Sequence, residues 1–192
     1  IIALKEFRML NNKVFNELYK LSDIRNKINV NDLAYLIGPI INAGGRLGRS
    51  NLATELLSSN DNNHINEKSL ELINLNKKRR KIENLILDGI NFNELQIKGE
   101  DIIIYYNPTI NEGLLGIIAS RLKDHFNKPS IVITNSNNIL KGSARSIYDY
   151  NIGRVIKKSL DKNLILNGGG HDMAAGFSLK KENLKKFKSF IN

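Results

Sequence analysis

The chain has 192 residues, 41% of them hydrophobic and 25% charged, which is typical of a globular protein large enough to bury a core. It has no cysteine, which excludes disulfides, thiol nucleophiles and sulfur-ligated zinc, and no apolar run has the length of a membrane span. The 29 Lys and Arg residues outnumber the 19 Asp and Glu residues, and the net charge of +10 favours a polyanionic partner such as nucleic acid. We expect a cytoplasmic monomer, and the start at Ile1 suggests a segment of a longer chain.

The first half of the chain is predicted to be helical. Apolar residues at helical spacing predict a helix over residues 2–21, followed by a polar break at 26–32. Gly38 and Pro39 interrupt the apolar run 33–41, which predicts that this run is not one regular element. Residues 42–50 are interpreted as a glycine-containing loop, after which Ser50 or Asn51 caps a helix that ends near Leu57.

A polar loop at 58–63 leads into one long helix over residues 65–88. Its apolar stripe is narrow and consists of Ile65, Leu72, Leu75, Ile82 and Ile86. A long helix with such a stripe is more typical of a connector between two lobes than of a core helix.

The second half of the chain has an α/β pattern. Strands are predicted over residues 101–106, 130–134, 141–148 and 174–179. Helices are predicted over 114–126, 152–160 and 182–191, and a glycine turn over 168–171. The predicted fold class is therefore α/β: the helical tail of a first domain, a long connecting helix, and a small α/β domain with a mixed sheet. The corresponding ranges are 1–62, 63–92 and 93–192.

Three glycine-containing segments indicate a phosphate ligand. Arg46 and Arg49 lie beside the flexible backbone of the first segment. Ser143 and Arg145 are two residues apart in an extended segment and therefore point to the same face, where a hydroxyl and a planar fork can hold a phosphate or a carboxylate. The third segment, 168–171, is predicted to form a backbone anion nest. Each segment alone could be only a turn beside a solvated arginine, but three in one basic chain favour a phosphodiester ligand.

No hydrolytic centre is recognisable in the sequence. The histidines His64, His125 and His171 are far apart, no Asp-x-Asp pair occurs, and there is neither a Walker loop nor a Gly-x-Ser-x-Gly elbow. We therefore predict no catalytic residue and no metal ligand in these residues, and expect that the 192 residues alone do not cleave DNA.

Several segments resemble the RecJ-type single-strand nucleases. Residues 36–48 resemble the region that closes their catalytic domain, and residues 72–83 are similar to their connecting helix. Residues 112–122 are similar to the first helix of their second, DHHA1-type domain, whose two most specific motifs resemble residues 141–146 and 169–176. The order and the spacing of these matches fit nearly the whole chain.

The resemblance implies a DHH-superfamily phosphoesterase that degrades single-stranded DNA from its 5′ end. Such enzymes use two metal ions, Mn²⁺ or Mg²⁺, bound by Asp and His residues of an N-terminal domain that is missing from these residues. Residues 1–62 would then be the C-terminal part of the DHH-type domain, and residues 93–192 the DHHA1-type domain.

The resemblance also implies a set of binding residues. Ser143, Arg145 and Ser146 match the phosphate-binding segment of the family; Gly169, Gly170 and His171 match the motif that faces the metal site; Asn42 and Arg46 match the motif at the domain junction near DNA. Two positions depart from the family pattern. Ile40 replaces an Arg, and Asn111 replaces a His and cannot become a cation.

Five consecutive cations lie in the middle of the long helix. At about 100° per residue, Lys77, Arg80 and Lys81 lie on one side of it, and we expect them to attract the DNA backbone without reading its sequence. Arg79 falls on the apolar stripe and is expected to be packed or paired at the interface of the two lobes. The alternative is that the cations form a solvated helix face.

Two other functions remain open at this point. One is a DHH-type phosphodiesterase of short oligonucleotides or cyclic dinucleotides, whose glycine-histidine motif is similar. The other is a non-catalytic module that binds nucleic acid.

Overall fold

The computed structural model describes residues 12–22, 30–97 and 99–192. The chain divides into two compact units, Ile1–Ile82 and Glu83–Asn192, so that the boundary falls inside the long helix. Each unit has a hydrophobic core of its own.

The first unit is helical. Its elements are α1 (Lys13–Leu21), a short helical segment (Val30–Asp32) that continues into a π-helical turn (Leu33–Ile37), α2 (Gly38–Arg46) and α3 (Asn51–Ser58). Asn12 caps α1, since its Oδ1 accepts hydrogen bonds from the backbone N–H groups of Val14 at 3.0 Å and Phe15 at 3.2 Å. Most of the predicted polar break and the first part of the predicted helix 2–21 lie outside the described residues.

The prediction of a glycine loop at 42–50 was wrong in its first half, because α2 continues through Asn42 and Gly44 to Arg46. Pro39 is the second residue of α2 and follows the π-helical turn directly, so the run 33–41 changes from π-helical to α-helical hydrogen bonding without ending, and it is not one regular element, as predicted. Gly44 is required for a close approach, since a Cβ there would lie 2.6 Å from the carbonyl oxygen of Arg49. The tight turn comes only at Gly48, which has a φ of 82°.

The predicted long helix is confirmed as α4 (Asn62–Asp88). Its buried residues are more polar than the predicted stripe. They are Ile65, Ser69, Leu72, Ile73, Asn76, Arg79 and Glu83. The Arg79 side chain is 8% exposed, and its Nε donates a hydrogen bond to Oδ1 of Asn76 at 3.1 Å. Arg79 is therefore packed, as its position on the stripe predicted.

The second unit is a mixed α/β domain, which confirms the predicted fold class. Its helices are α5 (Phe92–Ile97), α6 (Leu115–Phe126), α7 (Ile152–Asp161) and α8 (Leu184–Ile191), with 3-10 turns at Glu112–Leu114 and Lys181–Asn183. Its strands are β1 (Ile103–Tyr106), β2 (Ser130–Ser136), β3 (Ile139–Arg145), β4 (Asn167–His171) and β5 (Ala174–Leu179). The sheet has the order β1-β2-β3-β5-β4; only the β1–β2 pair is parallel.

The two faces of this sheet are covered differently. Leu140 and Ala144 of β3 belong to the hydrophobic core, together with Ile156 of α7 and Phe187 of α8. The ring of Phe177 lies over Gly142, where a Cβ would come within 2.2 Å of its Cζ. On the opposite face α6 packs against β2 and β3. The odd-numbered residues of β3 therefore lie on the same face of the sheet as α6.

The predicted glycine turn at 168–171 was also wrong, because these residues belong to the edge strand β4. Glycine lets the strand pack closely: a Cβ at Gly170 would lie 2.3 Å from the carbonyl oxygen of Ala174, and one at Gly168 would lie 2.8 Å from Cγ2 of Ile156. An extended, paired strand does not form the αR–αL nest that we expected. Glycines carry no side-chain alternation, so no period-2 pattern marked these residues as a strand.

Candidate phosphate-binding face

Three neighbouring strands bring polar side chains to one face of the sheet. Residues directly opposite each other in antiparallel strands lie on the same face. The register therefore defines three rows: Lys141–Ser178–Asn167, Ser143–Gly176–Gly169 and Arg145–Ala174–His171. We call these nine residues the polar face.

The middle row has an open glycine floor. A Cβ at Gly169 would have no atom within 4 Å, and the nearest atom to one at Gly176 is a backbone oxygen at 3.9 Å. The groove above this floor has a volume of about 560 Å³ and is lined by residues that include Glu112, Lys141, Ser143 and Asn167. A backbone phosphate can thus approach the sheet closely, with donors on either side.

The guanidinium of Arg145 is held against its own strand and against α6. Its Nη1 donates hydrogen bonds to the carbonyl oxygen of Ala144 at 2.8 Å and to Oγ of Ser143 at 3.3 Å. A Cβ at Gly116, in the first turn of α6, would lie 2.7 Å from Nη2. The fork is therefore pre-organised beside the Ser143 hydroxyl, and only a glycine at 116 leaves room for it.

An ion pair lies at the end of the groove. Nζ of Lys141 is 2.6 Å from Oε2 of Glu112, and both side chains are partly exposed. The hydrogen bond from Lys141, with a second from Ser136, lowers the pKa of Glu112. Glu112 therefore fixes the ammonium group and offsets part of its charge.

His171 ends the third row and is exposed. Its Nδ1 accepts a hydrogen bond from the backbone N–H of Met173 at 3.3 Å.

The polar face includes Ser143, Arg145, Gly169 and His171, which the sequence predicted as site residues. It does not include Gly170, because a Cβ there would lie on the other face of the sheet, 2.5 Å from Cβ of Ala175.

Ser146 is also outside this face and is 1% exposed. Its hydroxyl donates a hydrogen bond to the carbonyl oxygen of Tyr150 at 2.5 Å, and its backbone N–H donates to that of Met173 at 2.9 Å. In this structure Ser146 therefore connects two loops.

The other predicted residues lie on the helices. Asn42 and Arg46 lie one turn apart on α2 in the first unit, with Asn42 exposed. Lys77, Arg80 and Lys81 are exposed on α4. Their roles stay predictions.

The two departures from the family pattern have structural places. Ile40 is 2% exposed in the core of the first unit. Asn111 is exposed, and its Oδ1 accepts a hydrogen bond from the backbone N–H of Gly113 at 2.9 Å, which caps the turn that carries Glu112.

Sequence reasoning missed Lys141, Asn167, Ser178 and Gly116 as members or supports of this face. Lys141 was accessible from the sequence, since it precedes Ser143 by two residues on the same strand. Asn167 and Ser178 required the strand register, and Gly116 required the packing of α6 on β3.

Among the described residues, no three His, Asp or Glu side chains are grouped so that they could hold a metal ion. Over the same residues, no helix has both the length and the apolar character needed to cross a membrane.

Comparison with known proteins identifies the second unit. Residues 99–192 match the DHHA1 domain. The chain is 38% identical over 173 residues to the single-stranded-DNA-specific exonuclease RecJ of Haemophilus influenzae, covering 84% of this chain and 29% of that protein. It is 35% identical over 196 residues to RecJ of Bacillus subtilis, covering the whole of this chain and 25% of that protein.

A solved structure has the same fold. The crystal structure of RecJ from Thermus thermophilus in complex with Mg²⁺ matches 94% of this chain and 28% of its own chain, with a TM-score of 0.79 and 26% identity. A crystal structure of RecJ from the same source in complex with Mn²⁺ matches equally well, with a TM-score of 0.79. Residues 99–192 therefore belong to the DHHA1 domain family, and over most of its length the chain is similar to RecJ proteins. It spans between a quarter and three-tenths of the length of the two curated relatives from Haemophilus influenzae and Bacillus subtilis.

Proposed function

We propose that this chain is part of a metal-dependent, single-stranded-DNA-specific exonuclease that hydrolyses phosphodiester bonds in the 5′ to 3′ direction. In this proposal the polar face binds phosphate groups of the strand. The observation that carries it is the alignment of Ser143, Arg145 and His171 around an open glycine floor. A hydroxyl, a guanidinium and an imidazole donate to phosphate oxygens, and the glycines let the backbone of the strand come close.

The residues have separate roles in this proposal. Arg145 offers its planar fork to a terminal or bridging phosphate, Ser143 donates its hydroxyl beside it, and Lys141 adds positive charge at the end of the groove. The hydrogen bonds that hold the Arg145 fork reduce the entropy that binding would otherwise cost. Ser146 would hold the backbone next to Arg145 in place, since its buried hydroxyl donates a hydrogen bond to the carbonyl oxygen of Tyr150.

The remaining family features complete the proposal. Mn²⁺ or Mg²⁺ would be bound by Asp and His residues of the enzyme other than the 192 described by this sequence, and would activate the attacking water. Asn42 and Arg46 of α2 would contact DNA. Residues 1–62, 63–92 and 93–192 would be the end of the first domain, the connecting helix and the second domain of a cytoplasmic monomer.

Binding of a 5′-phosphorylated single strand tests the role of Arg145. Arg145→Lys keeps the charge but loses the planar fork, so we expect weaker binding, and Arg145→Ala should weaken binding further. Truncation removes charged hydrogen bonds of about 1.5–3 kcal/mol each, or about tenfold or more in affinity.

Lys186→Ala is the matched control, because it removes one positive charge from an exposed position of α8, across the sheet from the polar face. Equal binding by the parent and both Arg145 variants would contradict the assignment. A preference for dinucleotides over long strands in a hydrolysis assay would favour the short-oligonucleotide phosphodiesterase instead.

A further inference from the structure

The turn between β4 and β5 is fastened to the segment that precedes α7. The backbone N–H of Ser146 donates to the carbonyl oxygen of Met173 at 2.9 Å, and that of Ile152 donates to the carbonyl oxygen of Asp172 at 3.2 Å. Nδ2 of Asn151 donates a hydrogen bond to Oδ1 of Asp172. Three bonds thus hold the two residues that follow His171.

Asn151 serves two elements at once. Its Oδ1 accepts the backbone N–H of Arg154 at 2.9 Å, which caps α7, while its Nδ2 reaches the carboxylate of Asp172. Only this orientation of the amide gives an acceptor to the N–H group and a donor to the carboxylate. The side chain therefore links the first turn of α7 to the β4–β5 turn.

The same helix turn packs on the backbone of His171. A Cβ at Gly153 would lie 2.9 Å from the carbonyl oxygen of His171 and 3.1 Å from its nitrogen. The position of the His171 backbone is thus set by α7 and by the turn together.

The turn also selects the form of the imidazole ring. Nδ1 of His171 accepts the N–H of Met173, so this nitrogen carries no proton, and the neutral ring carries its proton on Nε2. On the polar face Nε2–H is then a directed donor for an anionic oxygen. If the β4–β5 turn shifted, the N–H of Met173 would no longer bond to Nδ1, and both tautomers of His171 would form.

We propose that Asn151 is a positioning residue that holds His171 as the Nε2–H tautomer by way of Asp172 and the β4–β5 turn. The assignment of Nε2–H as a donor to a phosphate of single-stranded DNA rests on the proposed function. The assignment of the His171 tautomer does not.

Asn151→Asp is the test variant. An aspartate caps α7 as well as an asparagine does, but it replaces the donor with a second carboxylate facing Asp172. We expect the helix content to remain and the Nδ1–H tautomer of His171 to become populated. Affinity for a 5′-phosphorylated strand should fall about fivefold, the loss typical of one misplaced hydrogen bond.

The double variant Asn151→Asp with Asp172→Asn provides the rescue. It restores a donor and an acceptor in reversed order, so the tautomer and the affinity should return towards those of the parent. A general loss of stability at position 151 would not be repaired in this way.

The tautomer is read from the ¹⁵N shifts of labelled histidine side chains without DNA, with His64 and His125 as internal references and His171→Gln for assignment. A parental tautomer in Asn151→Asp, or a double variant that stays shifted, would overturn the proposal. If the tautomer changes as expected but His171→Gln binds DNA like the parent, Asn151 positions His171 and the phosphate-binding role of His171 fails instead.

Discussion

Gly116→Ala should separate the binding site from the stability of the fold. An alanine Cβ would lie 2.7 Å from Nη2 of Arg145 and 3.2 Å from Oγ of Ser143, both closer than ordinary contact distance. The end of a long arginine can move aside, but this gives up the two hydrogen bonds of Nη1, about 0.5–1.5 kcal/mol each. The preference of a helix for alanine over glycine, up to roughly 1 kcal/mol, offsets part of that loss. We therefore expect only a small change in thermal stability.

The affinity for a 5′-phosphorylated strand should fall much more than the stability does. Once the guanidinium moves, the fork no longer lies beside the Ser143 hydroxyl. One misplaced charged hydrogen bond costs about 1.5–3 kcal/mol, or about tenfold or more in affinity. Fluorescence anisotropy at fixed salt measures this loss, and thermal unfolding of the same preparations measures the stability.

A double-mutant cycle supplies the control. With Arg145→Ala in the background there is no guanidinium to displace, so Gly116→Ala should have almost no further effect on binding. Parental affinity in the single variant would refute the reasoning. An equal loss in both backgrounds would show that Gly116 acts through something other than Arg145.

Three further predictions concern the long helix, the sheet and the ion pair. Neutralising Lys77, Arg80 and Lys81 together should weaken binding of single-stranded DNA equally for any sequence. It should also reduce the slope of log K against log salt concentration by ~0.7 for each phosphate that is no longer neutralised, and an unchanged slope would mean that these cations form a solvated helix face. Gly142→Ala should destabilise the second unit by roughly 1–3 kcal/mol, because its Cβ would come within 2.2 Å of Cζ of Phe177; equal melting temperatures of variant and parent would contradict this packing. The lowered pKa of Glu112 adds stability that is present above its ordinary value and is lost as pH falls through the lowered one. Because the pair is partly exposed, Lys141→Gln should lower the free energy of unfolding only slightly, and only above the lowered pKa of Glu112. Thermal unfolding as a function of pH measures this, and a difference between variant and parent confined to alkaline pH would show that another group titrates.

Side-chain periodicity predicted the parts of the fold in which side chains carry the pattern. The stripe of α4 and the apolar run of β1 have this property, and both elements were found near the predicted bounds. The alternation of β3 also placed Ser143 and Arg145 on one face, which the register confirms.

The glycine-rich segments could not be predicted in the same way. Glycines 44 and 168 are required because another atom lies where a Cβ would be, and that atom belongs to Arg49 in one case and to Ile156 in the other. Such contacts depend on tertiary packing, so sequence reasoning assigned loops where the structure has a helix and an edge strand.

The candidate site was predicted as motifs and not as a surface. The odd-numbered positions of β3 were recognisable, but the register that sets His171 beside Arg145 across Ala174 requires the paired strands. Ser146 adjoins Arg145 in the same motif, but one residue of shift along a strand turns a side chain to the other face.

The central claim is that the polar face binds phosphate groups of single-stranded DNA. Titration of the ¹⁵N-labelled protein with a 5′-phosphorylated oligothymidylate, followed by backbone amide shifts, tests it most directly. We predict the largest shifts at Ser143, Gly169, His171 and Gly176, with smaller shifts for the same strand bearing a 5′ hydroxyl. Shifts absent from these amides and concentrated on α7 or α8 would contradict it.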